Sequence, residues 1–216
     1  MFTNNKIIDI ERQINSLEGD IIKEIFKNGN AIAFLHQTIS SPRGDYFRRR
    51  LLQLLATETN ISEIEKLRSE AQMQESPRHI NKLSELQLIS SCKEDTYQRT
   101  EKGEKVVNAL RALETELGKE EAKKIFTSVL GPNSIRFFLR VYSSKSQVDL
   151  KKKQIKFSPK EIGKLSLFLP RTIEGVAAID KLSDAELLVY KDDGSIYLDP
   201  VKARSFYKYL KLLHQM

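Results

Sequence analysis

Apolar residues recur every three or four positions near the start of the chain. The spacing is close to the a/d seam of a coiled coil and predicts an amphipathic helix over residues 5–27. The seam residues are Ile7, Ile10, Ile14, Leu17, Ile21 and Ile25. A seam this regular, ahead of a separate globular pattern, predicts that the N-terminal segment 1–40 joins two copies of the chain into a homodimer. The pattern leaves open the alternative that this helix packs against its own domain.

Residues 41–117 show the pattern of three helices, a hairpin and a closing helix. Asn60 is a suitable N-cap for the second helix, with Glu63 at the capping-box position. Ser76-Pro77 is an N-cap followed by a first-turn proline, which predicts the start of the third helix. This part of the chain is predicted to form the first domain.

The hairpin and the closing helix of this domain also have local signals. Two short apolar stretches flank the polar tip at residues 93–95 and predict a pair of strands. Thr100 is expected to cap the closing helix, which ends at Leu117. Gly103 stands where a complete capping box has an acidic residue, so the predicted cap is incomplete.

Residues 118–216 repeat this order as helix, short strand, helix, helix, hairpin and helix. Ser158-Pro159 repeats the cap followed by proline, with Glu161 at the capping-box position. Asp193-Gly194 is a strong two-residue turn signal between two apolar runs and predicts a second hairpin. These residues are therefore predicted to form a second domain of the same kind.

The run SPRHINKLSELQLISSCKEDTYQRTEKGEKVVNAL, residues 76–110, resembles part of a known fold. It is similar to the recognition helix, wing and following helix of a winged helix-turn-helix domain, in the style of the MarR- and ArsR-like regulators. The resemblance covers residues 45–113. It implies a mainly α protein with small β-hairpin wings (α+β), built from tandem winged helix-turn-helix domains preceded by an N-terminal helix.

The same resemblance implies that the protein binds double-stranded DNA. In this fold the third helix enters the major groove, where exposed side chains contact base edges. Arginine pairs with guanine and asparagine with adenine, which suits the residue types found here. The expected contacts of the first domain are Ser76, Arg78, His79, Asn81 and Lys82 on the helix and Lys93, Tyr97 and Arg99 on the wing. The expected contacts of the second domain are Lys151, Lys152, Lys153, Lys156, Arg171 and Thr172.

Charge sharpens this division between the two domains. The chain has a net charge of +7, a pI near 9.3 and 40% hydrophobic residues. Residues 41–117 are neutral overall, whereas residues 131–171 hold ten basic residues against two acidic ones. Because lysine contacts to phosphate carry no sequence information, we expect the second domain to supply nonspecific affinity. Residues 48–50, three arginines in the first helix, are expected to add to it.

Composition excludes several other classes. Cys92 is the one cysteine of the chain, which excludes an intramolecular disulfide and a cysteine-cluster zinc site. The three histidines lie far apart, and phosphate-binding glycine loops do not occur, so we expect neither a metal, nor a cofactor, nor an enzyme. Apolar runs fall well short of the ~20 residues that span a bilayer, so no membrane partner is expected. The scarcity of cysteine is typical of a reducing compartment, so a cytoplasmic, nucleoid-associated protein is expected.

The leading hypothesis is a sequence-specific transcription regulator that binds a pseudo-palindrome as a homodimer. A plasmid-type replication initiator has a similar tandem layout and would favour direct repeats. A chromosome-associated scaffold protein is a third reading, which the basic residues at 131–171 disfavour. A nuclease set of Asp149, Glu161 and Lys164 matches no known spacing.

Overall fold

The structure is a computed structural model that describes residues 19–39, 47–70, 76–129, 131–144, 154–166, 173–192 and 195–216. These residues are mostly helical and include two small three-stranded antiparallel sheets, which confirms an α+β protein. The helices are α1 (residues 19–27), α2 (Gly29–Ile39), α3 (Phe47–Leu54), α4 (Ile61–Glu70), α5 (Ser76–Glu85), α6 (Glu101–Leu117), α7 (Lys119–Ser128), α8 (Pro132–Ser143), α9 (Pro159–Ser166), α10 (Ile173–Asp184) and α11 (Pro200–His214). The strands are β1 (Thr59–Asn60), β2 (Ile89–Lys93), β3 (Thr96–Arg99), β4 (Ile155–Phe157), β5 (Leu188–Tyr190) and β6 (Ile196–Leu198).

The first unit runs α3, β1, α4, α5, β2, β3 and closes with α6. Its sheet has the order β1-β3-β2, with Thr59 opposite Tyr97. Strand β1 has two residues and carries no sequence pattern, so it was not predicted. The predicted cap of α4 is confirmed, because the Asn60 side-chain oxygen accepts a hydrogen bond from the backbone N–H of Glu63 at 3.1 Å.

Gly103, in the first turn of α6, lies against the backbone of Leu88, the residue just before β2. The Thr100 side chain accepts a hydrogen bond from the Gly103 N–H at 3.1 Å, which confirms the predicted cap. A Cβ atom on Gly103 would overlap the carbonyl oxygen of Leu88. Real Cβ atoms do not come that close to backbone, so the missing side chain lets α6 dock against the first residues of the hairpin.

The second unit repeats the order as α8, β4, α9, α10, β5, β6 and α11. Its sheet has the order β4-β6-β5, equivalent to that of the first unit. The capping box of α9 is reciprocal. The Ser158 N–H donates to Glu161 Oε2 at 2.7 Å, and the Glu161 N–H donates to Ser158 Oγ at 3.2 Å. This predicted cap is also confirmed.

The two units and the N-terminal helices share one hydrophobic core. Helix α6 packs against α11, and α2 packs against both α8 and α11. Ile25 is completely buried and Ile21 is partly buried against this core. The end of the predicted dimer seam therefore packs within its own chain, because α1 and α2 cover apolar surface of the second unit. The remaining seam residues, Ile7, Ile10, Ile14 and Leu17, lie outside the described residues.

A buried polar contact lies at the junction of the units. His36 Nδ1 on α2 is 3.1 Å from the hydroxyl oxygen of Tyr209 on α11. The rings of Phe126 and Phe206 surround the imidazole at centroid distances of 6.2 Å. Burial lowers the pKa of His36 to about 4, and a hydrogen bond with the backbone of Val129 only partly offsets this. His36 is therefore neutral at neutral pH.

An ion-pair network joins α7 to the second unit. Lys124 and Lys202 both contact the carboxylate of Glu186, at 2.5 and 2.7 Å, and both contact Glu121. The hydrogen bonds from Lys124 and then Lys202 lower the pKa of Glu186 to about 2. The network holds Glu186, which lies just before β5, against α7 and α11.

Candidate nucleic-acid interface

Helix α5 presents one polar face to solvent. Arg78 and Asn81 are exposed on it, at the i, i+3 spacing that places two side chains side by side. The opposite face buries Ile80 and Leu83 in the core. Ser76 begins the helix, but its side chain lies outside the described side chains. The structure thus brings Arg78 and Asn81 together on an accessible surface.

His79 does not lie on this face. The residue is 8% exposed, and its Nδ1 accepts a hydrogen bond from the Nε of Arg48 at 3.0 Å. The ring is used to hold α5 against α3. A contact of His79 with DNA stays a prediction. The positions of polar residues along the predicted helix do not show that His79 is buried while its neighbour Arg78 is exposed.

Arg48 and Arg49 also differ from the expected phosphate contacts. Arg48 donates a second hydrogen bond to the backbone oxygen of Thr38 at 2.9 Å. Burial, and then the nearby charge of Arg78, lower the pKa of Arg48. Arg49 forms a salt bridge with Glu114 and lies over the ring of Phe126. These two arginines stabilise the fold, whereas Arg50 is exposed.

Lys82 lies at the edge of the α5 face. Its Nζ is 2.8 Å from a carboxylate oxygen of Glu85 and 4.6 Å from the ring centroid of Phe34. Phe34 is 45% exposed on α2. A DNA contact by Lys82 would therefore compete with two contacts that it already makes.

The hairpin of the first unit places its three predicted residues in different environments. Lys93 is exposed and forms a 3.1 Å ion pair with Glu58. Tyr97 is half-buried against the core. Arg99 is 7% exposed, forms a salt bridge with Glu104 and donates to the backbone oxygen of Leu52 at 2.7 Å. The guanidinium of Arg99 joins β3 to α3 and α6, and its contact with DNA stays a prediction.

The second unit has exposed lysines on β4 and α9. Lys156, Lys160 and Lys164 are all exposed. By contrast, the exposed side chains described on α10 include Asp180 and Asp184, which oppose contact with phosphates. The predicted contacts Lys151, Lys152, Lys153, Arg171 and Thr172 lie outside the described residues.

Two of the basic residues in the range 131–171 stabilise the packing of helices. The guanidinium groups of Arg136 and Arg140 on α8 lie 5.8 and 5.6 Å from the ring centroid of Phe26 on α1. Such cation–π contacts stabilise helix packing by about 0.5–1 kcal/mol at exposed sites. Counting charges in the sequence did not separate these two arginines from the exposed lysines.

Two further features, metal-ligand clusters and membrane-spanning helices, are absent from the described residues. Among them, no three His, Cys, Asp or Glu side chains are close enough to hold a metal ion. None of the helices in the described ranges combines the length and the hydrophobicity needed to cross a bilayer. Comparison of the chain with known protein families, curated proteins and solved structures finds no match.

Proposed function

We propose that the chain is a sequence-specific double-stranded DNA-binding protein built from two winged-helix units. The observation that supports this most strongly is the repeated topology. The order helix, strand, helix, helix, hairpin occurs twice, and both sheets place the first strand beside the third. In a winged helix with this order, the third helix is the one that enters the major groove.

Helix α5 is the proposed reading helix. Arg78 and Asn81 supply the side-chain types that pair with guanine and adenine edges. Helix α10 is a poor second reader, because it exposes Asp180 and Asp184. Lys156, Lys160 and Lys164 of the second unit supply phosphate contacts that add affinity without sequence preference.

A transcription regulator is the proposed biological role, with a homodimer on a pseudo-palindrome. A replication initiator is the second candidate, and one observation favours it. Both units share one core, so a single chain holds them in a fixed arrangement that suits direct repeats bound by monomers. A chromosome-associated scaffold agrees less well with a net charge of +7.

A mobility shift with genomic fragments at about 50 and 200 mM salt tests the proposal. We expect one fragment to be retained at the higher salt, and Arg78→Ala/Asn81→Ala to abolish that selectivity. Asn108→Ala/Arg111→Ala is a matched control, because it removes the same two residue types at the same spacing from an exposed face of α6. Absence of any shift at low salt would contradict DNA binding.

The retained fragment also separates the two biological roles. A footprint over inverted half-sites with two chains bound supports the regulator. A footprint over direct repeats, with one chain bound to each, supports the initiator. Footprinting with sedimentation of the complex measures both properties.

A further inference from the structure

The sheet of the second unit has one buried face and one exposed face. Ile155, Phe157, Ile196, Leu198 and Leu188 are buried. The alternate residues form a row across the three strands, in which Tyr197 lies opposite Lys156 on one side and Val189 on the other. Lys156 and Val189 are exposed, and Tyr197 is partly exposed between them.

Two lysines flank the ring of Tyr197. The Nζ atoms of Lys156 and Lys191 lie 5.8 and 4.9 Å from its centroid. Within the described residues, neither lysine forms an ion pair with an acidic side chain. We call Lys156, Val189, Lys191 and Tyr197 the Tyr197 face.

The first described acidic residues after strands β6 and β4 act as helix caps. Asp199 accepts hydrogen bonds from the first two N–H groups of α11 that need a cap, and Glu161 caps α9. Asp192 is exposed next to Lys191 and is the acid nearest in sequence. Within the described residues, the Tyr197 face therefore combines an aromatic ring with two ammonium groups that form no ion pair.

The first unit does not repeat this surface. Its equivalent tyrosine, Tyr97, lies opposite Thr59, which is 2% exposed, and packs against the core. The residue on the other side of Tyr97 is Ser91, which carries no charge. Tyr97 thus packs against the core of its own unit, whereas the ring of Tyr197 is flanked by two lysines.

We propose that the Tyr197 face binds unpaired nucleobases of a single-stranded nucleic acid. One base stacks on the Tyr197 ring, and Lys156 and Lys191 move from the ring to the phosphates on either side of that base. Base–aromatic stacking tolerates any sequence, and the lysines complement the backbone charge. Bases within a duplex are already stacked, so this surface selects single strands. It is separate from the proposed duplex contacts of α5, and it shares only Lys156 with the proposed phosphate contacts of the second unit.

The absence of tryptophan from the chain gives a direct test. Tyr197→Trp introduces one indole, whose fluorescence is expected to be quenched by oligomers of dT or rU of about twelve nucleotides. The two oligomers distinguish DNA from RNA as the source of the bases. Heparin supplies charge without bases and is expected to leave the fluorescence unchanged. Tyr190→Trp is the matched control, because Tyr190 is 47% exposed on the same hairpin but outside the row.

Affinity for the oligomers provides a second readout. Tyr197→Ala is expected to weaken binding roughly 5- to 150-fold, the range for loss of one stacked base, while Tyr197→Phe retains it. Lys156→Ala/Lys191→Ala is expected to weaken binding and to reduce its salt dependence. This double variant tests the proposal if the tyrosine variant does not fold. Arg78→Ala/Asn81→Ala is expected to leave oligomer binding unchanged. Equal affinities of wild type and a folded Tyr197→Ala variant, or equal quenching by heparin, would overturn the proposal.

Discussion

The Nε of Arg48 donates a hydrogen bond to Nδ1 of His79 over 3.0 Å, which joins α3 to α5. The same guanidinium donates to the backbone oxygen of Thr38, so it also joins α3 to the end of α2. One side chain thereby connects the N-terminal helices to the helix that exposes Arg78 and Asn81. The orientation of the proposed reading face depends on this contact.

Arg48→Ala is expected to lower the free energy of unfolding by about 1–3 kcal/mol, because it leaves buried acceptors without their donor. Urea denaturation followed by circular dichroism measures the change. Arg50→Ala is the control, since Arg50 is exposed and should change stability by no more than about 0.5 kcal/mol. Equal effects of the two substitutions would contradict a structural role of Arg48.

Gly103→Ala is expected to destabilise the fold by about 1–3 kcal/mol or more, because the new Cβ meets the backbone of Leu88. Gly163→Ala is the matched control in α9, where nothing lies within 4 Å of the added atom. That substitution should stabilise the chain by about 0.5–1 kcal/mol through helix propensity. Thermal melting of both variants gives the comparison, and a stable Gly103→Ala chain would exclude the close approach.

The pKa of about 4 for His36, lowered by burial from 6.5, predicts a pH dependence of stability. The unfolded chain binds the proton more tightly, so stability is complete above pH 6.5 and falls as the pH decreases towards 4. The loss amounts to about 3 kcal/mol over that window. Denaturation of wild type and His36→Gln at intervals of pH measures it, and the variant should lack the slope. Glu186 affects stability in a lower pH range. The stabilisation from its ion pairs is lost below pH 4.5, as the pH falls towards its pKa of about 2.

Lys160→Ala and Lys164→Ala are expected to weaken DNA binding equally for all sequences. Each should reduce the salt slope of the binding constant by about 0.9 if it removes one phosphate contact. Titrations at several salt concentrations measure the slope. Lys119→Ala removes an exposed lysine from α7 and should leave the slope unchanged. If Lys160→Ala and Lys164→Ala leave the salt slope as unchanged as the control does, α9 is not part of the interface.

Deletion of residues 1–18 tests the predicted homodimer. It removes Ile7, Ile10, Ile14 and Leu17 but keeps α1 and α2, which are part of the core. Sedimentation should find a dimer for the full chain and a monomer after deletion, because four of the six seam residues are lost. A truncated chain that stays dimeric would place the dimer contact elsewhere.

Local signals predicted local structure well, as the caps at Asn60, Thr100 and Ser158 illustrate. Each cap depends on residues within three positions, which a single chain displays directly. The roles of His79 and Arg99 depend on partners from other elements, and the polar character of these residues is compatible with solvent or with a buried hydrogen bond. Periodicity likewise predicted that α1 has an apolar side, but not that this side faces α8.

Tyr197 lies within a strand, away from the third helices and hairpin tips that the winged-helix resemblance marks as DNA contacts. The alternation of Tyr197 with Ile196 and Leu198 does predict an outward ring. What the sequence could not supply is the pairing that places Lys156 beside it, because strands β4 and β6 are about forty residues apart along the chain.

The contact between His36 and Tyr209 joins residues 173 positions apart, which has a consequence during synthesis on the ribosome. At roughly 5–20 residues per second, about 10–35 seconds pass between the emergence of α2 and that of its partner α11. Helix α8 emerges within this interval and can cover part of the apolar side of α2, but the part that meets α11 has no final packing partner until the end. The nascent chain therefore depends on chaperones or on temporary contacts for longer than a chain of two independently folding units would.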